Sequence, residues 1–409
     1  MAETPTAGSP RLSRGRRYVP MNVGRFEPID NRQALVIEIG NRFTKVGCAG
    51  EYLPQAIIRT EVSSCKGKMF PVFEKNRDET EQYRYIVRHL LITPKDRRLV
   101  IVESVMSPTA ERNLLAKALF EAFEVASVLF APSHLLATFP YGTKTALVID
   151  IGYKETLILP IIEGVTVLNA WEVSSVGGRR IEERALDLLR KHGRIITCKG
   201  TTREINDDDV AIFAKNRTVE DVVVRCCFVT SFDRSGQQAS SEGVGPGGDA
   251  AEGPAEIQLR HGDEILVVPG YVREFVAEVL FDYNEDEKSL PQLILDCVLK
   301  CSIDCRRKLL ESLILTGGSA RMKGLYARLK DELKQMVKSP DRSYASKLGN
   351  IDSFKFYLYP NTPLEMIANW LGGSMFGALE VLQYRSTSRD DWTARKTIPD
   401  WTNVVVQGA

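Results

Sequence analysis

One seven-residue stretch occurs twice in this chain of 409 residues. Residues 34–40 read ALVIEIG and residues 146–152 read ALVIDIG, so the copies differ only at Glu38 and Asp150. Each copy is a short run rich in Val and Ile that ends at an acid and a glycine, which is typical of a buried strand followed by a tight turn. The alternative is chance recurrence of a common strand composition. The repeat predicts two half-molecules built on the same strand–turn–strand unit.

Length and charge narrow the class of protein. A chain of 409 residues is long enough for more than one hydrophobic core, because single cores stop growing at roughly 250–300 residues. The 54 basic and 53 acidic side chains nearly cancel, so no charge imbalance indicates a nucleic-acid partner. No apolar run approaches the roughly 20 residues of a membrane span. We therefore expect neither a nucleic-acid partner nor a membrane span.

The eight cysteines do not have the spacing of a disulfide framework, which favours a reducing compartment. Cys297, Cys301 and Cys305 recur every four residues and would form one stripe if residues 291–313 were a single helix. Such a stripe is either part of a metal site or a set of small buried side chains. The second interpretation is favoured, because no CxxC pair or nearby His completes a zinc site.

Composition also changes along the chain. Residues 1–33 are rich in Arg and Pro with little apolar periodicity, which predicts a disordered basic tail; a mitochondrial transit peptide is disfavoured because the prolines interrupt any helix. Residues 234–256 are rich in Gly, Ser and Ala, which predicts a flexible surface insertion. Elsewhere strand-like and helix-like segments alternate, as in α/β layers.

Three glycine turns follow predicted strands, at Gly40, at Gly152 and in TGGS at 316–319. Phosphate oxygens are bound by backbone N–H groups in such turns, where only glycine allows a close approach. An acid beside the turn can hold a divalent cation through water, and a lysine supplies a point charge. Glu38 and Asp150 are therefore candidate indirect Mg²⁺ ligands, and Lys45 is a candidate phosphate contact.

In their order along the chain these motifs resemble those of actin and the actin-related proteins. ALVIEIGNRFTKVGCAG at 34–50 is similar to the family's first phosphate loop, and ALVIDIG is similar to the second. ILTGGSARMKG at 314–324 resembles the adenosine segment, and WLGGSMFGAL at 370–379 resembles the closing helix. RHLLITPKDRRLVIVES, LFAPSHLLATF and TIPDW are similar to the branch of the family found at the pointed end of the dynactin complex.

The resemblance implies an α/β, duplicated actin-like fold of the actin, Hsp70 and hexokinase type, with a nucleotide cleft. It divides the chain into a first half at 34–145, a second half at 146–360 and a C-terminal segment at 361–409 that returns to the first half. It also implies ATP or ADP with Mg²⁺ as a structural ligand. The residues carried over to that cofactor are Gly40, Asn41, Lys45, Asp150, Gly152, Thr156, Gly178, Gly317, Gly318 and Ser319.

The chain departs from the family where catalysis would occur. Ser133 stands at the position of the catalytic glutamine, and Leu157 stands at that of the second-loop histidine. Positioning an attacking water needs a fixed hydrogen-bonding group, so we expect a non-enzyme with at most very slow ATP hydrolysis. At the tip of the first loop, Arg42 has two interpretations, as a phosphate contact or as an occupant of the phosphate site.

Between the first phosphate loop and LVIVES at 99–104, the chain is shorter than the family pattern, which implies a reduced subdomain on the pointed-end face. Head-to-tail assembly propagates only while both faces are present, so this chain is expected to cap the pointed end of the dynactin filament in dynein-driven transport. Expected partners are a filament of actin-related protein 1, other dynactin pointed-end subunits and, indirectly, dynein, in the cytoplasm and cytoskeleton. The alternatives are a scaffold of a nuclear chromatin-remodelling complex and an actin-fold ATPase or kinase.

Overall fold

The computed structural model describes residues 33–63, 69–71, 94–239, 253–282, 287–339, 344–358 and 364–401. The predicted tail lies outside these ranges except for Gln33, as do residues 240–252 of the predicted insertion. Most of the segment assigned to the reduced subdomain, residues 64–68 and 72–93, also lies outside them.

Strands and helices alternate through both halves of the described chain. The strands are β1 Leu35–Ile39, β2 Phe43–Cys48, β3 Ala56–Arg59, β4 Glu61–Ser63, β5 Met69–Pro71, β6 Arg98–Glu103, β7 Ser127–Pro132, β8 Ala146–Ile151, β9 Thr156–Ile162, β10 Val165–Thr166, β11 Glu172–Ser174, β12 Arg194–Ile196, β13 Thr202–Glu204, β14 Ile257–His261, β15 Glu264–Val268, β16 Leu313–Thr316 and β17 Thr387–Ser388. The two largest sheets are mixed, whereas the sheet β13-β12-β15-β14 and the pair β4-β5 are antiparallel.

The α-helices between them are mostly short. They are α1 Thr109–Lys117, α2 Ser133–Leu136, α3 Gly178–His192, α4 Asp207–Asn216, α5 Thr218–Cys226, α6 Phe232–Ala239, α7 Gly270–Phe275, α8 Leu290–Lys300, α9 Ile303–Leu310, α10 Leu325–Lys338, α11 Tyr344–Leu348, α12 Leu364–Gly377, α13 Leu382–Arg385 and α14 Arg389–Arg395. A π-helical turn at Ala118–Ala122 extends α1, and 3₁₀ turns occupy Leu168–Ala170, Val276–Leu280 and Ser319–Arg321.

The two copies of the repeat have equivalent places in two sheets. The first sheet has the order β17-β7-β6-β1-β2-β3, and the second has the order β10-β9-β8-β16, with β11 also paired to β9. Strand β1 is antiparallel to β2 and parallel to β6, and β8 is likewise antiparallel to β9 and parallel to β16. The duplicated α/β fold predicted from the repeat is confirmed.

Each copy reads as a continuous apolar run because the strand is covered on both faces. In β1, Leu35 and Ile37 lie in a core with the α1 region, whereas Val36 lies in a separate core with Trp370 of α12. We call the first sheet with its helices and the C-terminal elements from Trp370 onward the first lobe. Residues 146–358, with the largest core, form the second lobe.

The C-terminal elements lie against the first lobe. The indole of Trp370 donates a hydrogen bond to the carbonyl of Val36 at 3.1 Å. Strand β17 pairs with β7 at the edge of the first sheet, and the Trp392 ring stacks on Phe120 with centroids 5.6 Å apart.

The predicted single helix over 291–313 is wrong, because Cys301 is extended (φ −82°, ψ 160°) and separates α8 from α9. The Arg306 side chain stabilises this break by donating to the carbonyls of Leu299 and Cys301 at 3.0 and 3.1 Å. The cysteines therefore do not form one helical stripe. Cys297 and Cys301 are buried in the second-lobe core, and burial raises the pKa of Cys301 to about 11.

The predicted flexible insertion begins too early at residue 234, because α6 continues to residue 239. Side chains hold this helix to its neighbours: the hydroxyl of Ser235 donates to Glu278 at 2.7 Å, and Arg234 pairs with Glu274. The start of this stretch is thus ordered by a hydrogen bond and an ion pair, and its amino-acid composition does not reveal either contact.

Candidate functional site

The tip of the first hairpin is a tight turn between β1 and β2. The amide of Gly40 donates to the carbonyl of Phe43 at 3.0 Å, and a Cβ at Gly40 would lie 2.8 Å from that oxygen. A side chain at this position would therefore crowd the turn's own backbone. The role of Gly40 in binding phosphate stays a prediction. Asn41 follows it in the turn and is exposed. The carbonyl of Gly40 accepts a hydrogen bond from the Thr60 hydroxyl at 2.7 Å, which ties the turn to the end of β3.

Below this turn, Glu38 and Lys45 face each other across the strand pair. The Lys45 Nζ lies 2.6 Å from Glu38 Oε1. The second oxygen, Glu38 Oε2, is buried and has no hydrogen-bond partner among the described residues. Burial raises the pKa of Glu38, the ammonium of Lys45 opposes that rise, and the carboxylate of Asp150 adds to it.

The second hairpin places Asp150 near the same lysine. Burial raises the pKa of Asp150, and both Lys45 and Asn369 oppose that rise. The amide nitrogen of Asn369, on α12, donates to Asp150 Oδ2 at 3.4 Å. In the turn, the amide of Gly152 donates to the carbonyl of Glu155 at 3.0 Å. The sequence analysis did not identify Asn369 as a residue of this site. The signal that could have identified it is a polar residue within an otherwise apolar helix.

The third turn, TGGS, packs directly against the second hairpin. Gly317 has φ +97°, and a Cβ there would lie 2.4 Å from the carbonyl oxygen of Ile151 and 2.6 Å from Asp150 Oδ1. Gly318 has no atom within 4 Å of its would-be Cβ, so open space lies beside it. The structure thus places Gly317 against Asp150 and leaves open space beside Gly318. Their role on the adenosine side stays a prediction.

The start of α3 also meets the second hairpin. The amide of Gly178 donates to the carbonyl of Gly152 at 2.9 Å, and the amide of Arg179 donates to the carbonyl of Tyr153 at 2.7 Å. The Ser319 hydroxyl lies close by, 2.9 Å from where a Cβ of Gly178 would be. These first amides of the helix therefore bind the protein's own backbone rather than remaining available to an anion.

Thr156 is placed differently from the other predicted contacts. Its side chain is buried, and its hydroxyl donates to the carbonyl of Val176 at 2.6 Å. This hydrogen bond joins β9 to the segment that precedes α3. The hydroxyl therefore has a structural partner already, which its position in the motif did not indicate.

Arg42, at the tip of the first hairpin, contacts the other lobe. Its guanidinium lies over the Tyr153 ring, 4.5 Å from the centroid, and its Nη2 is 3.3 Å from Glu182 Oε1. It also pairs with Glu220 of α5. Of the two interpretations drawn from the sequence, the structure shows Arg42 held by protein acids and by an aromatic ring.

The water-activating positions carry no free polar group suited to that task. Leu157 is a buried aliphatic side chain, and Ser133 is buried with its hydroxyl 3.1 Å from His134 Nδ1. Burial lowers the pKa of His134 to about 4. The imidazole is therefore neutral near pH 7. It is buried beside a serine, and its Nε2 has no hydrogen-bond partner among the described residues.

The base of the cleft carries an unbalanced charge. Two buried carboxylates, Glu38 and Asp150, face the ammonium of Lys45, so one negative charge is left when all three are ionised. Carboxylate oxygens are ligands that Mg²⁺ prefers, and this ion usually keeps several waters. Among the described residues, no group of three or more His, Cys, Asp or Glu side chains is placed to hold a metal directly.

Comparison with known proteins gives a consistent result. The family model for actin matches residues 72–396. The chain is 25% identical to Actin-related protein 10 of Dictyostelium discoideum, with 91% of this chain and 90% of that protein aligned. It is 23% identical to Actin-related protein 4 of Schizosaccharomyces pombe (89% and 94% aligned) and 24% identical to Actin-like protein 7A of Mus musculus (86% and 78% aligned).

No helix within the described ranges combines the length and the apolar character needed to cross a bilayer. The family match covers most of the chain, the relatives align over nearly its whole length, and both copies of the repeat occupy equivalent places in a duplicated α/β fold. The chain belongs to the actin family.

Proposed function

We propose that this chain is a non-catalytic actin-fold subunit that caps the pointed end of the dynactin filament and links it to the pointed-end complex. On this proposal its partners are a filament of actin-related protein 1, the other pointed-end subunits and, through them, dynein. It would act in the cytoplasm, on the cytoskeleton, in microtubule-based transport. The similarity to Actin-related protein 10 of Dictyostelium over 91% of the chain supports this choice of branch.

The observation that carries the proposal is that two apolar side chains of the second lobe are exposed. Ile303, in the first turn of α9, is 72% exposed, and Val165 of β10 is 65% exposed. The ion pair between Lys308 and Glu163, 2.7 Å long, ties α9 to the turn before β10. In the family, the segment CSIDCRRKLLESL belongs to the barbed-end face, so a subunit that keeps this face can join a pointed end.

The chemistry of the cleft supports the non-catalytic part. The Ser133 hydroxyl is paired with His134 Nδ1, and Leu157 has no polar group, so neither of these two positions offers a free hydrogen-bonding side chain to orient a water. Where ATP or ADP with Mg²⁺ binds, Glu38 and Asp150 would hold the ion through water, Lys45 would contact phosphate, and Gly317 and Gly318 would flank the adenosine side. In that role the nucleotide supplies charge neutralisation and stability, not turnover.

A binding experiment tests the cap. Purified chain is mixed with filaments of actin-related protein 1, and affinity and position are measured by co-sedimentation and by end-labelled electron microscopy. We expect binding at one end only, the pointed end. Replacing Ile303 with Asp should weaken binding by about ten-fold or more, because it buries a charge in the contact.

Val224→Asp is the matched control, since Val224 is 76% exposed but lies on α5, whose Glu220 binds arginines of the first lobe across the cleft. It should leave filament affinity unchanged. Binding along the sides of the filament, binding at the barbed end, or equal loss in both variants would contradict the proposal.

A further inference from the structure

A cluster of ion pairs crosses the cleft between the two lobes. It joins the tip of the first hairpin and the end of β3 to the tip of the second hairpin, α3 and α5. We call it the cross-cleft cluster, and its members are Arg42, Arg59, Glu61, Tyr153, Glu182, Arg217 and Glu220.

Glu220 is the centre of the cluster. It accepts from two arginines of the first lobe: Arg42, and Arg59 at 2.9 Å. The pKa of Glu220 is lowered although burial acts in the opposite direction, because Arg59 and Arg42 both donate to its carboxylate. One acid of the second lobe is thus bound by two cations from across the cleft.

The hairpin tips meet beside it. The Arg42 guanidinium stacks on Tyr153, and its Nη1 lies 3.3 Å from the Tyr153 hydroxyl. That hydroxyl donates to Glu182 Oε2 at 3.0 Å, and Glu182 also accepts from Arg42. Stacking and a hydrogen-bonded acid fix the plane of the guanidinium, so the contact is directional.

A second connection lies further from the hairpin tips. Arg217, between α4 and α5, pairs with Glu61 of β4. No other ion pair of either residue is seen in the described chain. Three arginines and three glutamates then balance in charge, and no side chain of the cluster is more than 36% exposed. Networks of partly buried pairs are screened less than isolated surface pairs.

We propose that the cross-cleft cluster is a latch that holds the lobes closed whether or not a nucleotide occupies the cleft. A ligand shifts a conformational equilibrium only by its differential affinity for the two states. Where side chains of the protein already bridge the hairpin tips, the closed state is favoured beforehand and a ligand adds little to it. The latch is a property of this chain alone and does not depend on a filament partner.

Hydrogen–deuterium exchange on the full chain, stripped of nucleotide with EDTA and apyrase, tests the latch. The readout is exchange in peptides that cover the two hairpin tips and α5, with and without 1 mM ATP and Mg²⁺. In the unaltered chain we expect slow exchange in both conditions, differing by less than about two-fold. Arg42→Ala should accelerate exchange on both sides of the cleft by about ten-fold in the nucleotide-free chain.

Arg203→Ala is the matched control. Arg203 also binds two acids, Asp209 at 2.5 Å and Glu264 at 2.6 Å, but both lie in its own lobe. This variant should change exchange near α4 and leave the hairpin tips slow. The control therefore distinguishes the effect of losing contacts across the cleft from the effect of losing any ion pair.

A charge exchange covers the case in which Arg42→Ala does not fold. Glu61→Arg and Arg217→Glu should each accelerate exchange at the cleft, and the double variant should restore slow exchange because the pair is re-formed with reversed sign. The proposal is overturned if the unaltered chain exchanges fast without nucleotide and ATP slows it ten-fold. It is also overturned if the double variant is no slower than the singles, or if Arg42→Ala exchanges like Arg203→Ala.

Discussion

At the scale of single residues, Gly317 is the glycine of the site where an added Cβ atom would be tolerated least. A Cβ there would meet a backbone oxygen and a carboxylate oxygen at 2.4 and 2.6 Å, in a conformation with φ +97°. Gly317→Ala should lower the free energy of unfolding by about 3 kcal/mol or more, because strain and a backbone clash add. Urea denaturation of both forms measures the loss.

Gly142 provides the control for Gly317, since it also has positive φ (+61°) but has no atom within 4 Å of a would-be Cβ. Gly142→Ala should cost only about 1 kcal/mol, the conformational part alone. Equal losses at the two positions would show that the contact with the second hairpin does not matter.

The contacts of Arg42 could not be predicted from its position in the sequence. An arginine at the tip of the first hairpin indicated that this turn differs from that of the family. Its partners Glu182 and Glu220 lie 140 and 178 residues away in sequence, on two different helices. Nothing local distinguishes these acids from ordinary solvated ones. A glycine at 317 could be expected from its turn motif, although the atoms that exclude a side chain there belong to the second hairpin.

At the scale of elements, the break between α8 and α9 is stabilised by one side chain. Arg306 donates to the carbonyls of Leu299 and Cys301, which have no helical partner at the end of α8. Arg306→Ala should therefore lower the free energy of unfolding by about 1–2 kcal/mol. Arg307→Ala should cost about 0.5 kcal/mol or less, because Arg307 is exposed and, among the described residues, donates to the carbonyl of Asn350 alone.

The two variants are compared by thermal and urea unfolding under the same conditions. A loss at Arg307 as large as that at Arg306 would contradict the capping role. The same contacts make Arg306 a poor probe of filament binding, since its replacement perturbs the helix end as well as the surface. Sequence periodicity missed the break because every residue from 291 to 300 fits a helix and the interruption is set by a contact from five residues further on.

At the scale of the whole molecule, most core residues pack within their own lobe, and a smaller core joins Ala137 and Ala368 to the second sheet. The end of the chain stabilises the first lobe. Arg112 is buried and pairs with Glu103 at 2.9 Å and with Asp400 at 2.9 Å. The indole of Trp401 donates to Glu103 at 2.6 Å. Ending the chain after residue 396 should cost the first lobe about 2–4 kcal/mol, because it removes partners from two buried charges.

Hydrogen exchange resolved by lobe checks this prediction, since a two-lobed chain need not unfold in one step. Ending the chain after residue 401 is the control, because it keeps Asp400 and Trp401. We expect faster exchange of β6 and α1 in the shorter chain only. Uniform acceleration in both lobes would indicate that the two cores unfold together.

The repeated heptad was sufficient to predict the duplicated architecture, since both copies required strands covered on two faces. The hydrophobic cores, and the return of the C-terminal elements to the first sheet, depend on packing between segments far apart in sequence. Trp370 binding Val36 is one such contact, across 334 positions. Sequence patterns predicted which segments become strands and turns, but not which distant side chains meet across the cleft.

The chain passes between the lobes twice, once between α2 and β8 and once on entering α12. Two crossings define a hinge axis, and two lobes that are joined only along such an axis can still rotate about it. The contact from Arg42 to Glu220 joins the lobes by side chains rather than by the backbone, and it would oppose rotation about this axis. If this chain caps a filament, as proposed, a latched pair of lobes would present the same surface to its neighbours with and without a bound nucleotide.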